Sequence, residues 1–168
     1  MLNLLRKSAA RKQEGRQLYD GLVSRAREAV FFADFGVADS IDGRFDLLVF
    51  HAWMVLAELQ ARGGDLQAQG LTDTLFTGFD EAMREQGAGD MGLGRKMKSF
   101  ANAFYGRLGA YQQAANEVEL AAALAKNLWR GAPPDARAQM LAAYATSARQ
   151  HIKAGLPGAL DFGPLPSI

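Results

Sequence analysis

The chain has 168 residues, of which 49% are apolar and 22% charged, and its formal net charge is +1. That length suits one domain with a sizeable core, and this composition argues against global disorder. There is no cysteine, which removes disulfide frameworks, thiolate metal sites, Fe–S clusters and cysteine nucleophiles together. The longest nearly apolar run, residues 47–59, contains His51 and Glu58 and is too short to span a bilayer. The N-terminus has no apolar stretch followed by a small-residue cleavage site, so a secretory signal is not expected. A soluble, intracellular, single-domain protein is the expectation.

The pattern is helical from end to end, with no hairpin signal and no long β-branched run. Residues 1–12 read as a flexible, basic N-terminus, ahead of a single helical domain over 13–168. Leu18, Leu22, Ala26, Ala29 and Val30 recur at spacings of three and four, which predicts a helix over about 14–32. Phe31, Phe32 and Phe35 follow, and Gly36 suits a C-cap. Asp39 or Ser40 can cap the next helix, about 41–62, because their side-chain oxygens accept from free first-turn N–H groups. That helix is apolar on most sides, so it should be the central one of a bundle of about six. Gly63 and Gly64 end it.

Thr72 or Asp73 should open a third helix to about 86, with Leu75, Phe76, Phe79, Ala82 and Met83 inward. Residues 87–94 hold four glycines and read as a turn. A fourth helix, about 93–113, carries Met97, Phe100, Phe104, Leu108 and Tyr111 on one stripe. A fifth spans about 116–129. A sixth starts at Pro133–Pro134 and runs to about 153. The tail, with Pro157, Pro164 and Pro166, should be extended. The fold class expected is therefore all-α.

Charge is segmented: residues 1–27 sum to +5, residues 28–90 to −9 and residues 91–168 to +5. Such a sequence can place opposed patches on one small body. The near-neutral total and acidic middle argue against nucleic-acid binding. Arg6, Lys7, Arg11 and Lys12, interleaved with Leu2, Leu4 and Leu5, could instead rest on an anionic membrane surface.

Catalytic and metal motifs are mostly missing. Neither His51 nor His151 has Glu three residues before it, as a di-iron bundle needs, and two histidines without cysteine suit zinc poorly. No nucleophile elbow, Walker or dinucleotide fingerprint occurs, and the glycines of 87–94 lack the preceding strand of a phosphate cradle. His51, in the most apolar stretch, reads first as a buried neutral group and second as a ligand for haem. No metal and no cofactor is expected. The alternative function is a small-ligand or haem carrier, or an enzyme, using a pocket near His51, Trp53 and the glycine-rich turn.

Three segments carry a resemblance. The first is residues 37–46, Val-Ala-Asp-Ser-Ile-Asp-Gly-Arg-Phe-Asp, running on to His51 and Trp53. The second is Met83-Arg84-Glu85 followed by Gly87, Gly89-Asp90, Gly94 and Lys96. The third is Phe104-Tyr105-Gly106-Arg107 with Tyr111. In this order and spacing they resemble the ubiquinol–cytochrome c chaperone family, assembly factors of the cytochrome bc complex, over about residues 19–111. Ala33-Asp34 and Ala88 depart from the family pattern. The early start of the first helix looks like a bacterial member, working at the cytoplasmic face of the inner membrane.

The resemblance implies a chaperone, not an enzyme, that binds newly made cytochrome b and holds it during maturation of the complex. An acidic surface of Asp39, Asp42, Asp46, Glu85 and Asp90 could engage basic client loops. Asp42, Arg44, Asp90, Lys96, Tyr105 and Arg107 lie off the apolar stripes or in turns and form either a polar network between helices or a partner-facing surface. The surface is favoured for Arg44, Lys96 and Arg107, while Phe45 and Phe104 belong to the core. A shallow groove lined by Arg44, Lys96, Tyr105 and Arg107 would favour the chaperone. Asp90 also suits the cap of the fourth helix. Gly43 and Gly106, costly inside helices, imply either tight helix packing or a docking groove. Whether the protein acts alone, as a homodimer or with a small helper subunit is left open by the sequence.

Overall fold

The computed structural model describes residues 2–85, 87, 90–156 and 159–168, without the side chains of residues 2–7, 90 and 91. Seven helices follow in order: α1 (Leu2–Ala26), α2 (Ala29–Ala33), α3 (Ile41–Ala61), α4 (Asp65–Glu85), α5 (Asp90–Gln113), α6 (Glu117–Leu128) and α7 (Ala136–Gly155). No strand occurs among the described residues. Every residue of α3 from Val49 to Leu59 is buried, and α1, α4, α5, α6 and α7 all pack on it. The central position read from its all-round apolarity is the observed one.

Five boundaries differ from the sequence expectation. Two differ by a few residues: α5 begins at Asp90, so Gly92 and Gly94 of the expected turn are helical, and α7 begins at Ala136 behind the Asp135 cap, past Pro133–Pro134. The other three are larger. First, the predicted helix over 14–32 is two. Glu28 adopts extended backbone (φ −59°, ψ 134°), and the break turns Phe31 and Phe35 fully into the core. Second, α1 begins at Leu2, so the basic residues 6–12 belong to a helix. Third, α4 begins at Asp65, well before Thr72. The helix runs straight through Gly70, which is a contact point. A Cβ on Gly15 of α1 would lie 2.7 Å from the Gly70 carbonyl oxygen, so two glycines let α1 and α4 approach closely.

Ser40, with extended backbone, caps α3 by accepting from the Gly43 amide at 3.1 Å. A Cβ on Gly43 would collide with the Ala38 carbonyl oxygen, so this glycine serves the tight entry to α3. Asn116 and Asp135 cap α6 and α7 in the same way. Trp129 donates from Nε1 to the Phe35 carbonyl at 3.1 Å, tying the α6–α7 turn to α2.

Residues 159–168 run without a helix but are pinned. Phe162 is buried against the edge of the His51 ring, with centroids 5.5 Å apart. The Arg25 guanidinium lies over the Phe162 ring and donates to the Gly163 carbonyl. Pro157 lies outside the described residues.

Candidate client-docking site

The site is built where the start of α3 meets α4 and α5. Asp39 and Arg44 pair at 2.6 Å, both exposed. The Arg44 guanidinium, by its hydrogen bond, holds Asp39 below the usual carboxylate range. Ile41 is 69% exposed, and Asp42 is also exposed. Arg44 shares a cavity of about 690 Å³ with Arg27, Ala29, Phe32, Ala33 and Asp39, so it faces α2 and not Lys96, Tyr105 or Arg107. The cavity that Arg44 lines includes none of Lys96, Tyr105 and Arg107.

One turn further on, Asp46 departs from expectation. It was assigned to the acidic surface but is fully buried, because α3 is packed on nearly all sides and offers no outer face there. Arg107 Nε lies 2.7 Å from Asp46 Oδ1, and Arg130 Nη1 lies 2.7 Å from Oδ2. Burial pushes the Asp46 pKa up, while the two arginines pull it down. Arg107 is thus a largely buried ion-pair partner instead of a groove-lining residue. Its guanidinium also stacks over the Phe45 ring at 5.0 Å.

Arg130 was not singled out from sequence. It follows α6 in the left-handed region (φ 55°), a conformation that costs a non-glycine residue about 1 kcal/mol or more. Its Nη1 also donates to the Asn127 carbonyl at 2.9 Å, and Nη2 comes within 3.9 Å of Asp42. The only local hint was its place just before Gly131, past the end of a helix.

Beside this cluster lies a half-buried aromatic group. Phe100 sits 3.7 Å from Phe79 and 4.4 Å from Phe45 between ring centroids. Phe76 joins Phe79, Phe104 and Tyr105, the last in a stacked arrangement at 6.0 Å. Phe104 is core, as expected; Phe45 is only partly buried and packs on the core. Tyr105 is 56% exposed. Gly106 and Gly109 follow on α5, and a Cβ added to either would meet nothing within 4 Å. Packing inside this chain therefore explains Gly43 but not Gly106.

The remaining predicted residues are not gathered at one place; Arg11 packs beside Gly70, near the start of α4 and away from the start of α3. Glu85 and Lys96 are exposed. Asp90 is the first residue of α5, and its side chain lies outside the described set, as do those of Arg6 and Lys7. Arg11 and Lys12 are exposed on α1. His51 offers no free ring nitrogen: Nδ1 meets the Leu47 carbonyl at 2.8 Å and Nε2 the Tyr144 hydroxyl at 3.2 Å. Burial pushes its pKa down to about 3. A second cavity, of about 600 Å³, is lined by Trp53, Glu58 and Arg149 among others but not by His51. Among the described residues no group of three or more His, Asp or Glu could hold a metal ion, and no helix is long and apolar enough to cross a membrane.

The model of a protein family described as ubiquinol-cytochrome C chaperone matches residues 33–157. The chain belongs to that family. The match takes in all of α3 to α7 and so every residue of the site just described, from Asp39 to Arg130. A crystal structure of the Cbp3 homologue from Brucella abortus is similar along nearly the full length. It is 31% identical, with 98% of this chain and 97% of that chain covered, at a TM-score of 0.83. The likeness therefore includes α1, which the family model leaves out. A comparison with curated proteins gave no match.

Proposed function

We propose that this chaperone binds unassembled cytochrome b and holds it, without turnover, during maturation of the cytochrome bc complex. The observation that carries the reading is the half-buried aromatic group of α3, α4 and α5, with Tyr105 exposed next to the open Gly106 face. An unassembled multi-helix membrane protein presents apolar segments that have not yet packed, and basic cytoplasmic ends. The aromatics suit the first. Asp39, Asp42, Glu85 and Asp90 would meet the second, and Arg44, which in the free chain pairs with Asp39, and Lys96 would meet acidic client residues. Asp46 and Arg107 support this surface from beneath. Arg6, Lys7, Arg11 and Lys12 add contact with anionic lipid at the cytoplasmic face of the inner membrane, each contributing about 1 kcal/mol near the surface.

The test is capture of cytochrome b by tagged protein from its own membranes in mild detergent. Wild type and a distant control, Val118→Glu on α6 (Val118 is 79% exposed), should enrich cytochrome b; Tyr105→Glu and Gly106→Leu should lose it. Equal capture by all four, or none by any, would sink the proposal.

A further inference from the structure

We infer that the buried Asp46 carboxylate is a receptor for one arginine or lysine side chain of a basic protein segment, and that Arg130 fills it in the free protein. The inference rests on the client-docking reading and adds the chemistry of recognition to it. One carboxylate here faces two guanidiniums, each at 2.7 Å, although one cation is enough to neutralise it. The two are not equivalent. Arg107 is fixed on α5, its side chain 19% exposed, whereas Arg130 sits on a turn with its side chain 53% exposed.

Arg130 is the replaceable cation for two reasons. Its backbone is held in the left-handed region, which favours glycine. Its guanidinium already lies 3.9 Å from Asp42, whose side chain is 84% exposed, so a second carboxylate waits one turn away on α3. The carboxylate is also imperfectly held by both arginines: neither oxygen of Asp46 receives a well-directed hydrogen bond despite the short contacts, and Arg107 Nε, which faces Oδ1, is left without one as well. Tyr111 is close enough to feel the charges of Asp46 and Arg107. A carboxylate with one cation to spare and poorly directed partners has room for a better-aimed donor.

The exchange is charge-balanced: Arg130 moves from Asp46 to Asp42 as the incoming cation takes its place, and no proton or covalent bond changes. Because Arg107 bridges Asp46 to the Phe45 ring, the incoming residue would stand beside the aromatic group. The partner segment should therefore carry a basic residue next to apolar ones, a pattern found where membrane-spanning helices end.

The test is titration of the full chain with a short acetylated, amidated peptide holding two arginines among glycines, followed by backbone amide shifts. The uncharged citrulline version is the control. Arg130→Gly, which suits the backbone, should tighten the arginine peptide about tenfold, equivalent to about 1.4 kcal/mol of removed competition. Asp42→Asn, which removes the resting place, should weaken it about threefold. Shifts should centre on Asp46 and Arg107. Equal affinity for wild type and Arg130→Gly, shifts confined to other regions, or equal binding of the citrulline peptide overturns the inference. If cytochrome b is captured while the Arg130→Gly effect is absent, only the exchange fails; if the peptide behaves as expected while cytochrome b is never captured, only the client reading fails.

Discussion

Gly106→Ala separates what the free chain needs from what the client needs. Gly106 lies inside α5, outside the residues with positive φ, and a Cβ there meets nothing within 4 Å. Alanine should therefore add no clash. It should recover the helix-propensity cost of glycine, about 0.5–1 kcal/mol, raising Tm by about 2–4 °C per kcal/mol for a chain of this size. Capture of cytochrome b should fall with Gly106→Ala and fall further with Gly106→Leu, since each adds bulk only on the solvent side. The assays are thermal melting by circular dichroism and the membrane pull-down. Two results would refute the reasoning. A lower Tm would mean that the free chain itself uses the glycine. A higher Tm with full capture by Gly106→Leu would mean that no partner approaches there.

Other substitutions test the remaining physics. His51 is held neutral in the fold with a pKa of about 3, while the unfolded chain takes a proton near 6.5. The stabilisation is therefore present above pH 6.5 and lost as pH falls towards 3. By pH 5 it should have dropped by about 2 kcal/mol, seen as a lower urea midpoint, and His51→Gln should flatten this dependence. Gly43→Ala, forced against the Ala38 carbonyl, should cost about 1–3 kcal/mol, in contrast to Gly106→Ala; an unchanged melting curve would contradict the close approach. Phe162→Ala removes the buried anchor of the tail and should cost about 3 kcal/mol, with amides of residues 159–168 losing hydrogen-exchange protection first.

The nearly all-apolar character of residues 47–59 made α3 legible as the central helix, and the spacing of Phe104 and Tyr111 placed both in the core. Periodicity fails where one residue type serves two ends. Gly70 reads as a contact surface only once Gly15 stands opposite. The break at Glu28 is likewise invisible to spacing, because the positions on both sides of it keep the same apolar rhythm. Asp46 and Arg107 are harder still. Helical phase assigns a face only when the helix has a polar side, and α3 has almost none beyond its first turn. The ion pair that buries both residues joins positions 61 apart in sequence, and Arg130, the third member, is recruited from a loop whose conformation nothing in the local sequence specifies.

Stability alone would not produce the arrangement at this end of the molecule. A buried carboxylate with two arginines is often matched or bettered by apolar residues of similar volume. A left-handed arginine is strained, and helical glycines facing open space only lose helix propensity. Elsewhere the chain is locally consistent: α3, α6 and α7 are capped by their own side chains, and the buried His51 has both nitrogens engaged. The costly features are contiguous, since Asp46 follows Phe45, Arg107 follows Gly106 and Tyr105, and Arg107 touches both Asp46 and the Phe45 ring. Departures from local consistency that cluster in this way mark places where function competes with folding. The offsetting gain should therefore appear only in the complex. Replacing Asp46, Arg107 and Arg130 together by apolar residues should leave the free protein at least as stable, and should abolish capture of cytochrome b.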